Sequence, residues 1–267
     1  MNYHSYSKKK RASFSDTMLV LTILFLFVPL FVVTFFSFNS AKGMQWEHAS
    51  LIWYKTLIFD SPSLWLAFKN SIIIALTSSI TATVLGSLAA IGITWYRFKG
   101  RSYITTISYL PMVLPEVIIG ISMLIFFSSV KIKLGMFTIF VAHATFNLPF
   151  VFMMVQARLD EFDYSTIEAA RDLGANERQA LMKVVVPAIM PAILSSFLMC
   201  TTMSLEDFVI TFFVSGPGSG TLPLYVYSMI RYGVSPVINA LSFVMILGTM
   251  LIAFTFRRFL KTAAAST

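Results

Sequence analysis

Ser165-Thr-Ile-Glu168-Ala169-Ala170-Arg-Asp-Leu-Gly174-Ala-Asn176-Glu-Arg-Gln179-Ala-Leu-Met-Lys-Val184-Val-Val186-Pro187 is a polar island in a chain that is otherwise largely apolar. Ser165 followed three residues later by Glu168 predicts a capping box, hydroxyl and carboxylate satisfying the orphan amides of a new helix. Ala169 and Ala170 favour helix and carry almost no side chain, so a partner can approach the backbone closely. Gly174 supplies the left-handed residue that ends the first helix, and Asn176 with Gln179 repeats the capping logic to start a second. The island therefore reads as a helix-turn-helix elbow that hands over to the next apolar run at Pro187 and Pro191. Ile167, Leu173, Leu181 and Val184 are available for burial, and Arg171, Arg178 and Lys183 face polar surroundings.

The chain around this elbow requires a bilayer. Of its 267 residues 57% are hydrophobic and 12% charged, with a mean hydropathy of +0.78 that excludes a water-soluble domain of this size. Six windows approach the roughly 20 apolar residues that a hydrocarbon core demands: 17–38, 67–96, 104–130, 136–157, 189–209 and 237–256.

A formal charge of +8 invites a nucleic-acid reading, which the placement of the charges rejects. With both ends assigned inside, the inner loops hold 14 Lys and Arg: Lys8, Lys9, Lys10, Arg11, Arg97, Lys99, Arg101, Arg158, Arg171, Arg178, Lys183, Arg257, Arg258 and Lys261. The outer loops hold six: Lys42, Lys55, Lys69, Lys131, Lys133 and Arg231. That asymmetry is the positive-inside pattern, placing the termini and the elbow in the cytoplasm and assigning the basic excess to topology and anionic lipid. The single cysteine, Cys200, excludes an intrachain disulfide, and His4, His48 and His143 share no metal-ligand spacing.

Along the chain, Lys8 to Arg11 precede an apolar run too long for a signal peptide, so the first span is expected to be retained. The following loop carries Trp46, Trp53, Tyr54 and Trp65, which suit an interfacial aromatic belt or ligand contact. Gly86, Ser87, Ala89 and Ala90, with the Thr81-Ala82-Thr83 run, predict close helix packing in the second span. The third span combines Pro111 and Pro115, which break the backbone ladder, with Glu116. On insertion scales an acid at the bilayer centre costs about 2.5–3.5 kcal/mol, so Glu116 faces a cavity or a partner unless it marks a helix end at the interface. His143 and Asn147 in the fourth span read as interhelical hydrogen-bonding groups.

The fifth span ends in Ser204-Leu-Glu206-Asp207, neighbouring acids at the end of an apolar helix that call for a cation or a pairing subunit. Ser204 and Asp207 share a helical face, while Glu206 points about 100° away. A single-face pocket therefore takes one acid more easily than both. The Gly-rich run at 215–220 has no Lys-Ser/Thr and no preceding strand, so it is an outer turn and not a phosphate loop. Residues 224–236 read as a short amphipathic outer helix before the sixth span.

The elbow spacing, Glu168-Ala169-Ala170, three residues, Gly174, nine residues and Val184-x-Val186-Pro187, resembles the E-A-A-x3-G-x9-I-x-L-P signature of permease subunits in binding-protein-dependent ABC importers. Val replaces the Ile and Leu. Over nearly the whole chain, Phe38-Asn39-Ser40, Trp53-Tyr54, Arg97-Phe98-Lys99-Gly100, Ser204-Leu-Glu206-Asp207, Ser215-Gly-Pro217, Leu222-Pro-Leu and Gly233-Val-Ser-Pro-x-x-Asn239-Ala are similar to the C-type permease subunits of spermidine/putrescine importers. Two acids depart from that pattern: Glu116 and Glu206 stand where Asp is common, keeping charge and lengthening reach.

The resemblance implies an all-α integral membrane protein of the type I ABC importer permease fold, with six transmembrane helices and both termini cytoplasmic. It divides the chain into 1–66 (cytoplasmic N-terminus, first span and outer loop), a five-helix core at 67–258 with the coupling loop at 158–188, and a cytoplasmic tail at 259–267. It implies Glu168, Ala169, Ala170 and Gly174 as the ATPase-coupling residues and Trp53, Glu116, Ser204, Glu206 and Asp207 as substrate-binding residues. The implied partners are a second permease, two copies of a cytoplasmic ATPase that bind ATP and Mg, an extracytoplasmic polyamine-binding protein and membrane lipid. The resemblance further implies a transport subunit of the inner membrane and not an enzyme, with no cofactor or metal on this chain. A permease for ferric ion, thiamine or another cationic metabolite is the runner-up. An intramembrane hydrolase built on Glu206, Asp207 or His143 lacks any paired catalytic motif, and a passive channel has no use for an ATPase-docking elbow.

Overall fold

The computed structural model describes residues 14–43, 45–96, 98–232 and 236–265, without the side chains of 232, 252, 253 and 255–265. Lys8 to Arg11, Arg97 and the Gly233-Val-Ser segment lie outside the described residues, as do the side chains of Arg257, Arg258 and Lys261. The described chain is helical throughout: α1 (Phe14–Phe36), α2 (Ile52–Phe59), α3 (Pro62–Trp95), α4 (Arg101–Ser108), α5 (Leu110–Val113), α6 (Glu116–Ser129) and α7 (Met136–Asp160) come first. The elbow contributes α8 (Ser165–Asp172), α9 (Glu177–Ala180) and a π-turn (Leu181–Val185). Then follow α10 (Val186–Glu206), α11 (Val209–Val214), α12 (Leu222–Tyr232) and α13 (Pro236–Ala265). The only extended pairing among the described residues is an isolated bridge, Asn39 to Ala49.

Among the described residues, four helices are long and apolar enough to cross a membrane: Phe14–Phe36, Pro62–Trp95, Met136–Asp160 and Glu177–Glu206. A fifth is obtained if Arg101–Val113 and Glu116–Ser129 count as one broken span. The expected single run at 104–130 is bent there by 107°. Its cause is local: Leu114, held extended at ψ 137° by the proline that follows, and Pro115 at ψ 134° interrupt the helical ladder. Glu116 consequently becomes the first residue of α6 and not a mid-helix acid. The last helix, α13, includes the apolar stretch Pro236–Leu251 among its described residues.

Packing divides the chain into two units. In the first, formed by described residues up to Pro62 and from Met229 onward, α13 packs on α1 and α2. Phe38, Tyr54 and Phe243 form an aromatic cluster there. No residue of α1 is buried, as a helix in hydrocarbon requires no polar shielding.

In the second unit, Ser63–Ser228, α7 lies against α10, and α6 against α11. At Gly86 of α3 the α7 helix comes close: a Cβ there would stand 2.8 Å from the Val151 Cβ. This confirms the small-residue packing expected of the second span. One apolar cluster runs from Ala82, Ala90, Phe152 and Cys200 down to Ile167, Ala180 and Val185 of the elbow, so the elbow shares a core with the spans it joins. A second cluster holds Ile74, Ile119, Phe127, Ile139, Ala142, Ile210 and Val214.

Candidate functional site

The elbow is built by local bonds. Gly174, at φ +87°, closes α8 with the Ala175 amide donating to the Ala170 carbonyl at 3.0 Å and its own amide to that of Arg171 at 2.8 Å. These are the two bonds of a Schellman motif, and the left-handed φ is why glycine is required. Asn176 and Gln179 form the reciprocal capping box at 2.9 and 3.0 Å. The Arg171 guanidinium reaches across the turn to the Glu177 carboxylate at 2.7 Å. The π-turn lies just before Pro187, whose ring has no N–H to offer and would crowd the preceding turn of a regular helix.

Two expectations for the elbow need correction. Ser165 begins α8 but forms no capping box with Glu168, because the cap position is taken by Tyr164 with helical backbone angles. The Ser165 amide is met instead by the Asp163 carboxylate at 3.0 Å. The Ser165 hydroxyl and amide together hold the exposed Asp163 carboxyl below its ordinary value. Ile167 is buried as expected, whereas Leu173 is 90% exposed. Glu168, Ala169 and Gly174 are exposed and Ala170 half-buried, so all four expected coupling residues lie on the same accessible elbow. A groove of about 370 Å³ beside them is lined by Ala170, Leu173, Gly174, Ala175, Lys183 and Val184, among others.

The acids come together at the opposite kind of site, one assembled from distant segments. Gly120, one turn into α6, is in close contact with Ile210 and Phe213, so α6 and α11 lie side by side. Glu116 opens α6, Glu206 closes α10, and Asp207 follows it two residues ahead of α11. Both Asp207 and Glu206 lie within electrostatic reach of Glu116. Negative charge is favoured at helix N-termini, which offsets part of the cost of placing Glu116 at the start of α6 and Asp207 ahead of α11, whereas Glu206 closes α10.

The acids are not equivalent. Asp207 caps α11: Oδ1 accepts from the Ile210 amide at 3.2 Å, and Oδ2 from the Thr211 amide at 2.9 Å and the Thr211 hydroxyl at 2.8 Å. Its Oδ2 also lies 3.1 Å from Nε2 of His143, and the carboxylate is 8% exposed. Ser204 is buried, its hydroxyl 2.7 Å from Nδ1 of His143 and 3.3 Å from the Ser78 hydroxyl. Glu116 and Glu206 are exposed and make no side-chain hydrogen bond or ion pair among the described residues. Phe208, next to Asp207 in the chain, packs against Tyr227 with ring centroids 4.5 Å apart, placing aromatic surface beside the acids.

Trp53 belongs to the first unit. It is buried, and its indole N–H donates to the Asn39 carbonyl at 2.7 Å. Asn39 in turn organises its loop by accepting from the Glu47 amide at 3.0 Å and donating to the Gln45 carbonyl at 2.8 Å. The expectation of interhelical bonding by His143 and Asn147 holds, Asn147 donating to the Cys200 carbonyl at 3.4 Å. The participation of Thr211 and Ser78 had no sequence signal beyond their polarity in apolar runs.

Residues 82–264 of this helical membrane chain match the family described as "Binding-protein-dependent transport system inner membrane component", to which the chain belongs. Among its relatives, the spermidine/putrescine transport system permease protein PotC of Escherichia coli K12 is 38% identical over 237 residues, covering 86% of this chain and 89% of PotC. The putrescine transport system permease protein PotI of the same strain is 38% identical over 248 residues, 90% of this chain and 88% of PotI. In fold, a bacterial ABC transporter involved in alginate import superposes with a TM-score of 0.70 at 17% identity, covering 98% of this chain and 99% of that one. The chain thus has the type I ABC importer permease fold and is a multi-pass membrane protein, and its relatives are permease subunits, not enzymes.

Proposed function

We propose that this protein is one transmembrane half of an ATP-driven importer that carries polyamines across the cytoplasmic membrane by alternating access. The observation that carries the substrate class is the placing of Glu116 at the start of α6, which lies beside α11, with Glu206 and Asp207 at the junction of α10 and α11, in a chain 38% identical to permeases named for spermidine and putrescine. A polyamine is a flexible polycation with methylene spacers. Separated carboxylates suit its ammonium groups, and the Phe208 and Tyr227 rings offer apolar and cation–π surface for the spacers and charges. Trp53 and Ser204 stay in this reading as residues that shape the pathway, since their polar atoms are already engaged.

An extracytoplasmic receptor delivers the solute, this chain and a second permease enclose it, and two cytoplasmic ATPase subunits supply ATP and Mg chemistry. Glu168, Ala169, Ala170 and Gly174 transmit ATPase closure to the helices that share the elbow's core. Six spans, with both termini and the elbow cytoplasmic, complete the reading, the transport core at 67–258 lying between the segments 1–66 and 259–267. The test is uptake by the assembled importer with labelled spermidine or putrescine in competition with unlabelled polyamines, thiamine and ferric ion. Polyamines alone should compete, and displacement by thiamine or iron would overturn the substrate assignment.

A further inference from the structure

The two acids that end the fifth span differ because of a residue on another helix. His143 of α7 stands between the last turn of α10 and the first turn of α11, 2% exposed, with both ring nitrogens engaged. Nδ1 lies 2.7 Å from the Ser204 hydroxyl, and Nε2 lies 3.0 Å from the Thr211 hydroxyl and 3.1 Å from Asp207 Oδ2. The tautomer follows from the bonding. Thr211 gives its hydroxyl proton to Asp207 at 2.8 Å, so toward His143 it can only accept, and Nε2 carries a proton. In the neutral ring Nδ1 then accepts from Ser204, whose oxygen remains open to the Ser78 hydroxyl of α3 at 3.3 Å.

One imidazole thus clamps Ser204 and Asp207, the two positions of one helical face. Of the two residues between them, Glu206 is turned off that face and left exposed without a partner among the described residues. We infer that His143 is a positioning residue of the acid site: by fixing Ser204 and Asp207 it sets the direction of Glu206, so that Glu206 and Glu116 are the carboxylates that meet a bound ammonium group while Asp207 holds the start of α11. This rests on the polyamine-site reading above. It assigns unequal roles to three acids that formal charge alone makes alike.

The test is polyamine uptake by the complete importer, with KM and Vmax measured separately and assembly followed by co-purification of the partner subunits. His143→Ala should raise KM about tenfold or more, the effect of releasing hydrogen bonds to a charged group. His143→Gln, which still offers an N–H toward Asp207, should recover part of that loss. A scaffolding role would instead lower Vmax, through fewer assembled transporters, at unchanged KM.

The deciding arm is the double variant. Because His143 acts through Glu206, His143→Ala should add little to the KM of Glu206→Gln, whereas multiplied penalties would overturn the inference. Should His143→Ala fail to assemble, His143→Gln and Ser204→Ala carry the test, and an unchanged KM in both overturns it. If Glu116→Gln and Glu206→Gln leave KM unaltered, the acid-site reading itself fails. If they raise KM and the His143 variants do not, the site stands and the positioning role falls.

Discussion

The elbow and the acid site are held in opposite ways. The bonds that shape the elbow's turn join residues close in the chain: Gly174 to Arg171, Asn176 to Gln179, Arg171 to Glu177. The acid site is held by bonds that span the second unit, with His143 reaching Ser204 across 61 residues and Thr211 across 68. The elbow is exposed and presents an uncovered leucine at its turn, Leu173. The acid site buries its scaffold and exposes only the acids it does not need for structure. On the function proposed above, a surface that engages a separate subunit is specified locally, whereas a cation site inside a bilayer is pinned from several helices, because unpaired polar groups there are costly.

The comparison can be broken most directly at Gly174. Gly174→Val places a β-branched residue at φ +87° and should abolish uptake together with co-purification of the ATPase, while the helical content of the membrane part persists. Co-purification at wild-type yield would show that the elbow does not need its left-handed turn. At the other site, Glu206→Gln and Glu116→Gln should each raise the KM for polyamine uptake by about tenfold, the scale of one charge-assisted contact, with the ATPase still bound. Loss of the ATPase from these variants would mean that the two regions are not separable.

Between the two sites lies the packing that connects them. Gly86→Ala puts a methyl group 2.8 Å from Val151 and should destabilise the second unit by about 1–3 kcal/mol, read as a lower melting temperature in detergent. An unchanged melting temperature would show that α3 and α7 separate freely. Asn176→Ala removes one capping box and should cost about 1 kcal/mol, seen as faster amide exchange at Gln179 with little change at Ser204.

The smallest effect concerns Asp163. Its carboxyl is held below its ordinary value of 3.8 by the Ser165 hydroxyl and amide, so its support of α8 is complete above that value and is lost as pH falls through the lowered one. The protection factor of the Ser165 amide, its exchange rate relative to the intrinsic rate at each pH, should therefore stay constant from neutral pH down to the ordinary carboxylate range and fall only below it. A fall near pH 6 would assign the protection to another group.

Much of the elbow was legible before any coordinates. The Gly174 turn and the Asn176 to Gln179 box depend on a few neighbouring residues, and local geometry realises them directly. Where the reading failed, a competing local donor or acceptor won: Asp163 meets the Ser165 amide, so Glu168 stays free of the cap. Prolines announced a disturbance at 111–115, but periodicity carried no information on its size, and a kink became a 107° break. At the acid site the shared face of Ser204 and Asp207 was readable from their spacing, while the identity of the group that face meets was not.

Composition and short-range pattern by themselves determined that the chain is helical, lives in lipid and carries a capped elbow, because mean hydropathy, caps and a left-handed glycine are properties of a residue and its nearest neighbours. Only the tertiary structure decided which of two adjacent acids is structural and which is left free. That choice is made by an imidazole on another helix, whose place depends on how α7, α10 and α11 pack, and packing is a property of the folded chain and not of any segment of it.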